Sequence, residues 1–175
     1  MKKTAILATA ALAIGGLMFF SFGAKAEELA EGAKLPSVTV NDQDGHAVEL
    51  AAAGGQGWTL VYFYPKADTS GCTKQACSLR DGYAKLQEKG VRIYGVSGDD
   101  VAAQKAFEQK YHLPFRLIAD HDQKVMDAFG VPHNGSFATR QAFLFKDGKL
   151  VWRDLHAATE KQAADVLAAI DGSGK

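Results

Sequence analysis

Apolar residues occur in short runs that are separated by polar and glycine-containing segments. The most pronounced run, Trp58–Tyr64, is rich in aromatic and branched side chains and ends at Pro65. Such a continuous run predicts a strand that is buried on both faces of a sheet. Alternating apolar and polar residues at Val38–Val40 and Ala47–Leu50 predict a hairpin around the turn at residues 41–45. Shorter apolar runs predict four further strands: Val91–Val96, Phe115–Ala119, Ala142–Phe145 and Leu150–Trp152.

Segments with apolar residues at helical spacing lie between and after these strands. A small, glycine-rich connector is expected at Ala51–Gly57, and the Asp147-Gly148 pair predicts a tight hairpin turn. Thr159 is expected to cap the last helix, with Gln162 three residues later as its capping partner. The predicted helices are Cys72–Glu88, Val101–Tyr111, Lys124–Phe129 and Thr159–Ile170.

The order of these elements predicts an α/β fold with a central mixed sheet flanked by helices and an N-terminal β-hairpin. Alternating strands and helices form the parallel part of the sheet, and the final hairpin adds antiparallel strands. The chain has 175 residues, of which 47% are apolar. This length and composition suit one globular domain, which we place at residues 27–175.

The first 26 residues have the layout of a secretory signal peptide. Lys2 and Lys3 precede an uncharged run over residues 4–24, and Ala24-Lys25-Ala26 is a small-x-small cleavage site. Cleavage after Ala26 predicts an exported protein, in the bacterial periplasm, with no stable membrane association. The alternative is an uncleaved anchor facing the periplasm, since the run approaches the roughly 20 residues that span a bilayer. Gly15-Gly16 would weaken such a helix at its middle.

Charge excludes one class of partner. The whole chain has 20 basic and 20 acidic residues, and removing residues 1–26 with their three lysines leaves a net charge of −3. No basic stripe remains that could follow a phosphate backbone, so nucleic acid is not an expected partner. The five histidines are scattered without a pair at metal-ligand spacing, and no metal site is expected.

The loop after the Trp58–Tyr64 strand carries the candidate chemistry. Cys72 stands at the start of a predicted helix, where the helix dipole and free N–H groups favour a thiolate. Thr69 can aim its hydroxyl toward the same point, and Pro65 shields the sulfur from water. Fixed donors of this kind stabilise the negative charge that develops on a peroxide as its O–O bond breaks. Arg140 is a candidate for a further donor, although an arginine at the start of a strand is ordinarily just exposed.

Cys77 is the second cysteine of the chain. Five positions in an unbroken helix separate two residues by about 7.5 Å along the axis and by about 140° around it. Two cysteines so placed cannot form a disulfide unless the backbone moves. A Cys72–Cys77 bond would therefore require the first turns of the helix to unwind, and reduced and oxidised forms would differ locally.

The segment Pro65-x-x-x-Thr69-x-x-Cys72 resembles the signature of the peroxiredoxins. With Tyr64, Lys66, Gly71, Thr73 and Cys77 it is similar to the PrxQ, or bacterioferritin-comigratory, branch, from which Ser70 departs because proline is usual there. The resemblance implies a thioredoxin-like fold, Cys72 as the peroxidatic and Cys77 as the resolving cysteine, and Arg140 as the active-site arginine. It further implies a hydroperoxide substrate, a thioredoxin-like dithiol as reductant, no cofactor, and a monomer.

Two other functions remain possible on the sequence. An exported thiol–disulfide oxidoreductase could use the same fold, but such enzymes carry Cys-x-x-Cys, whereas the spacing here is Cys-x4-Cys. A binding module without enzymatic activity could use the two cysteines as a permanent bridge. A bridge over so short a loop would distort the helix and add little stability.

Overall fold

The computed structural model describes residues 28–173, which form a seven-stranded mixed sheet with helices on both sides. The strands of this sheet are β1 (Thr39–Asp42), β2 (Ala47–Glu49), β3 (Trp58–Phe63), β4 (Val91–Ser97), β5 (Arg116–Ala119), β8 (Gln141–Lys146) and β9 (Lys149–Asp154). Their order in the sheet is β2-β1-β5-β4-β3-β8-β9. The three central strands β3, β4 and β5 are parallel, and the other neighbours are antiparallel.

This arrangement confirms the predicted α/β fold, the mixed sheet and the N-terminal hairpin of β1 and β2. The turn of that hairpin is closed by the carboxylate of Asp42, which accepts the backbone N–H groups of Asp44 and His46 at 3.0 Å. A second, two-stranded sheet pairs β6 (His133–Asn134) with β7 (Phe137–Ala138). The sequence pattern did not predict these two strands, because each has only two residues.

Within residues 28–173, six helices cover the large sheet: α1 (Leu50–Gly54), α2 (Ser70–Asp81), α3 (Tyr83–Glu88), α4 (Val101–Tyr111), α5 (Lys124–Phe129) and α6 (Gln162–Gly172). Side chains alternate along the strands, so each of the central strands β3, β4, β5 and β8 contributes to two separate cores. The α2 face is the side where Leu60, Tyr62 and Leu144 pack against residues of α2, α3, α4 and α6. The α5 face is the side where Val61 and Phe63 pack against residues of α1 and α5.

Three helical predictions need correction. The connector expected at 51–57 is helical over its first four residues, which belong to α1. The Glu49 carboxylate caps the first turn of this helix by accepting from Ala51 N and Ala52 N. The helix expected over 72–88 is divided into α2 and α3 at Gly82. This break coincides with a close approach of α6, since a Cβ atom on Gly82 would lie 2.6 Å from the Cβ of Ala163.

The cap predicted for the last helix is also wrong. Helix α6 begins at Gln162, its N-cap residue is Lys161, and no side chain caps it. Gln162 is the first residue of the helix and not the third, as a capping box requires, and its amide oxygen accepts a hydrogen bond from Gln75 at 2.7 Å.

The predicted signal peptide at residues 1–26 lies outside the described residues. Over residues 28–173, no helix combines the length and the apolar character that crossing a bilayer requires.

Candidate active site

The loop between β3 and α2 lies at the carboxyl edge of the parallel strands, and several hydrogen bonds hold it there. Tyr64 N donates to Val96 O at 3.1 Å, which continues the pairing with β4 for one residue. The carboxylate of Asp99, just after β4, accepts from Ala67 N and from the hydroxyl of Ser97, both at 2.7 Å. Buried backbone and polar groups paired in this way give the loop a defined shape.

Asp68 anchors the outer side of the same loop. Its backbone is in the left-handed region, with a φ of 57°. Its carboxylate accepts from Lys110 Nζ at 2.7 Å and from the hydroxyl of Tyr111 at 2.6 Å, both on α4. The hydrogen bond from Lys110, followed by that from Tyr111, lowers the pKa of Asp68. Helix α4 therefore holds the loop from outside through a charged contact.

Cys72 is the third residue of α2, so the prediction that it lies in the first turn of a helix is confirmed. Its side chain belongs to the core on the α2 face, and only 1% of the residue is exposed. A thiol in such a place is normally inert packing. One polar contact distinguishes it: Arg140 Nη2 donates to Cys72 Sγ at 3.3 Å.

Strand register explains why Arg140 reaches this loop. Strand β8 runs antiparallel to β3, and Gln141 stands opposite Phe63. Arg140, one residue earlier, is therefore level with the residue that follows β3 and leads into the loop. Gly71 leaves room beside α2 for the half-buried guanidinium, because a Cβ atom at position 71 would lie only 3.2 Å from Arg140 Nη2. The arginine is thus turned toward the cysteine and not simply exposed.

The other nitrogen of the guanidinium is engaged in a contact that the sequence did not predict. Arg140 Nη1 donates to the side-chain oxygen of Gln75 at 2.5 Å, and Gln75 Nε2 donates to Gln162 Oε1 at 2.7 Å. Both glutamines are fully buried. A signal for Gln162 does exist in the sequence, since it falls on the same helical stripe as Val166 and Ile170, where a polar residue is unexpected.

Thr69 and Pro65 flank the loop as the sequence indicated. Thr69 occupies the N-cap position of α2 without capping it, and its hydroxyl donates to Lys66 O at 3.0 Å. Its oxygen therefore keeps lone pairs free as acceptors, while its action as a donor toward a substrate stays a prediction. Pro65 is half-buried directly after Tyr64.

Cys77 lies on the same continuous helix as Cys72, is half-buried, and is a free thiol, as Cys72 is. Because five helical positions separate the two, their side chains point in different directions. A bond between them needs the helix between them to change conformation.

Known proteins resemble this chain in sequence. The sequence model described as "AhpC/TSA family" matches residues 32–153. Chloroplastic peroxiredoxin Q of Oryza sativa subsp. japonica is 42% identical over 126 residues, covering 71% of this chain and 58% of that protein. Chloroplastic peroxiredoxin Q of Suaeda salsa is 44% identical over 119 residues, covering 67% and 55%. The chain thus spans less than two thirds of the length of these relatives.

Solved structures share the fold. Peroxidoxin BcpB of Mycobacterium tuberculosis superposes with a TM-score of 0.76 at 27% identity, covering 81% of this chain and 96% of that one. The bacterioferritin comigratory protein of Xanthomonas campestris gives a TM-score of 0.75 at 26% identity, covering 83% and 100%. The chain therefore has a thioredoxin-like fold and belongs to the AhpC/TSA family, in which it is similar to the peroxiredoxin Q and bacterioferritin-comigratory proteins.

Proposed function

We propose that this protein is a thiol-dependent peroxidase that reduces hydrogen peroxide and organic hydroperoxides to water and alcohols. The observation that carries the proposal is the hydrogen bond from Arg140 Nη2 to Cys72 Sγ at the start of α2. A sulfur that accepts from a guanidinium at a helix N-terminus is stabilised as a thiolate, the form in which cysteine is a nucleophile. The solved structure of the Xanthomonas campestris relative is described in terms of alkyl peroxide reduction activity, which supports organic hydroperoxides as substrates.

In the first step the Cys72 thiolate attacks one oxygen of the peroxide. A sulfur–oxygen bond forms, the O–O bond breaks, and the leaving oxygen takes a proton and departs as water or an alcohol. Cys72 becomes a sulfenic acid, oxidised by two electrons. Arg140 stands where it stabilises the negative charge on the oxygens, and Thr69 offers its oxygen to the O–H of the bound peroxide. Pro65 limits the access of water to the sulfur.

In the second step Cys77 attacks the sulfenic sulfur of Cys72. A disulfide forms and the sulfenic oxygen leaves as water. Because both cysteines lie on α2, the turns between residues 72 and 77 must unwind before the two sulfur atoms meet. An external dithiol of the thioredoxin type then exchanges with the disulfide and returns both thiols.

We further propose that the protein works outside the cytoplasm, as a monomer. The N-terminal pattern of Lys2, Lys3 and Ala24-Lys25-Ala26 supports export. Recovery of the protein from the periplasm with Glu27 as its first residue would support this placement. Recovery only from the membrane with an intact N-terminus would support the anchor instead.

A single-turnover experiment tests the enzymatic proposal. The reduced protein is mixed with peroxide, and thiols are counted by mass spectrometry. The wild type should consume about one equivalent and lose both thiols to one disulfide. Cys72→Ser should consume none, and the matched variant Cys77→Ser should consume peroxide but stop at the sulfenic acid.

The same preparation separates the two alternative functions. A thiol–disulfide oxidoreductase would reduce insulin disulfides quickly while consuming peroxide slowly. A binding module would do neither. Equal peroxide consumption by the wild type and Cys72→Ser would refute the role of Cys72.

A further inference from the structure

The hydrogen bonds that connect Arg140 to α6 have a fixed direction. A guanidinium only donates, so the side chain of Gln75 must turn its oxygen toward Arg140 and its nitrogen toward Gln162. Gln162 then has to present its own oxygen, which accepts at 2.7 Å. Its remaining Nε2 group is buried and has no partner among residues 28–173. A buried donor without a partner costs free energy, so stability alone does not explain a glutamine at this position.

Gln162 lies beyond residues 32–153, the part of the chain that the family model matches. It is the first residue of α6, and the segment around it contacts α2 at two further points. Glu160 accepts from Lys74 Nζ at 2.7 Å, and Ala163 N donates to the hydroxyl oxygen of Ser78 at 3.3 Å. Of these contacts between α2 and the start of α6, the one made by Gln162 is connected, through Gln75, to the guanidinium of Arg140 beside Cys72.

We propose that Gln162 is a positioning residue for the attack on peroxide, acting through Gln75 on Arg140; this inference rests on the proposed function. Gln75 has two polar ends, and Gln162 holds one of them. The other end then holds Arg140 Nη1, which leaves Nη2 directed at Cys72 Sγ. Without Gln162 the Gln75 amide loses its second anchor, and the guanidinium loses the fixed orientation that transition-state stabilisation requires.

The hydrogen bond between Gln75 and Gln162 also opposes the second step, in which the Cys72–Cys77 disulfide forms. Gln75 lies between Cys72 and Cys77, within the turns that must unwind before the disulfide forms. Unwinding moves Gln75 away from Gln162, so their hydrogen bond stabilises only the wound, reduced form of α2. Removal of the bond should therefore slow the attack on peroxide and accelerate closure of the disulfide. These opposite effects on consecutive steps distinguish a positioning role from a general loss of activity.

The test compares three variants with the wild type. Gln162→Met keeps the length of the side chain but offers Gln75 no oxygen. Gln162→Glu keeps an oxygen that accepts from Gln75 Nε2 and serves as the conservative rescue. Lys74→Met removes the exposed contact between α2 and Glu160 and serves as the matched control, because the Lys74 side chain bonds Glu160 and makes no hydrogen bond to Gln75 or Arg140. Stopped-flow kinetics give the second-order rate constant for peroxide and the rate of disulfide closure, and thermal unfolding monitors the fold.

We expect Gln162→Met to lower the rate constant for peroxide by about 10-fold while disulfide closure becomes faster. Gln162→Glu should recover most of the peroxide rate, and Lys74→Met should stay within about twofold of the wild type. The inference is overturned if Gln162→Met matches the wild type, or if the methionine and glutamate variants are equally impaired, since the residue would then act through packing alone.

A second measurement separates this inference from the proposed function. In a Cys77→Ser background, the rate at which iodoacetamide alkylates Cys72 at pH 7 reports the reactive thiolate without any peroxide. A slower alkylation in Gln162→Met than in the parent supports the positioning of Arg140 even if the wild type proves inactive toward peroxide. An unchanged alkylation rate contradicts the positioning role of Gln162 even if the wild type is an active peroxidase.

Discussion

The two faces of the central sheet share the same strands but bury different kinds of side chain. On the α5 face, Phe63, Phe129 and Phe143 form an aromatic cluster with ring centroids 5.2–5.8 Å apart. On the α2 face, the corresponding core contains Tyr62, Tyr64 and Cys72, and the buried glutamines of α2 and α6 adjoin it. Alternation of side chains along β3 sends one set of residues to each side.

The faces also differ in how completely their polar groups are paired. On the α2 face, Tyr62 Oη, Thr73 Oγ1 and Gln162 Nε2 are buried without a hydrogen-bond partner among residues 28–173. The aromatic cluster of the α5 face contains no polar atoms that would need a partner. The side chain of Gln141, which lies on the α5 face with Phe143 and Phe145, has one such atom, Oε1. Incomplete pairing is destabilising, and it is more frequent here on the face whose helix must unwind in the proposed reaction. The comparison suggests that one side of the sheet supplies stability and the other supplies reactivity.

The strongest test of this division removes a ring from the α5 face. Phe129→Ala deletes a fully buried side chain that contacts Phe63, Phe143 and Phe145, and should lower the free energy of unfolding by about 3–5 kcal/mol. The rate constant for peroxide should stay near the wild-type value while the protein is folded. Phe137→Ala is the control, since Phe137 is 50% exposed and should change stability by less than about 0.5 kcal/mol. A large loss of peroxide rate in folded Phe129→Ala would contradict the division.

The second test acts on the α2 face. Arg140→Met removes the donor to Cys72 Sγ and should slow peroxide reduction by about 10²- to 10³-fold, as the loss of one donor to a developing oxyanion does. Stopped-flow rates measure the effect, and chemical denaturation should show a smaller change than in Phe129→Ala. Arg116→Met is the control because Arg116 is exposed on β5. Equal rates for the two variants would show that the guanidinium has no role in the reaction.

A third test uses two tyrosines that stack on each other at 5.6 Å. Tyr62→Phe removes a buried hydroxyl without a partner and should raise the free energy of unfolding by about 1 kcal/mol. Tyr64→Phe should lower it by about 1 kcal/mol, because the Tyr64 hydroxyl donates to Gln104 Oε1 at 2.5 Å. Urea denaturation of the pair gives the sign directly. If both substitutions change the free energy of unfolding in the same direction, the presence or absence of a hydrogen-bond partner does not distinguish the two hydroxyls.

The smallest effect concerns a charged contact beside α5. The hydrogen bond from His133 to Asp127 raises the pKa of His133 above its ordinary value of 6.5. The pair therefore stabilises the fold fully below pH 6.5 and loses this contribution as the pH rises through the raised pKa. The gain should stay below about 1 kcal/mol because Asp127 is 69% exposed. Denaturation from pH 5.5 to 8.5 should show a flatter profile for His133→Gln, and identical profiles would contradict the assignment.

Much of the site could be predicted because its residues are close in sequence. Pro65, Thr69, Cys72 and Cys77 follow one buried strand, and local patterns fix both that strand and the start of α2. Arg140 is distant in sequence, and only the resemblance to a family indicated its position. The register of β8 against β3 then explains it physically.

The remainder depends on contacts between distant segments, which periodicity does not describe. The sequence predicts a local capping role for Gln162, but a hydrogen bond with Gln75, 87 positions away in sequence, determines its orientation. The small alanines and glycines of residues 51–57 predict a connector, whereas the structure forms α1 there. The Glu49 carboxylate, not an apolar stripe, starts that helix.

Gly82 limits how far along the chain the unwinding of α2 can extend when the disulfide forms. It ends α2, and its N–H donates to Ser78 O at 3.1 Å, while α3 begins at the next residue. If α2 unwinds as the disulfide closes, α3 need not lose a turn, since Leu86 on α3 is fully buried in the core. We therefore expect hydrogen exchange in the oxidised protein to accelerate over residues 70–81 and to remain slow from residue 83 onward.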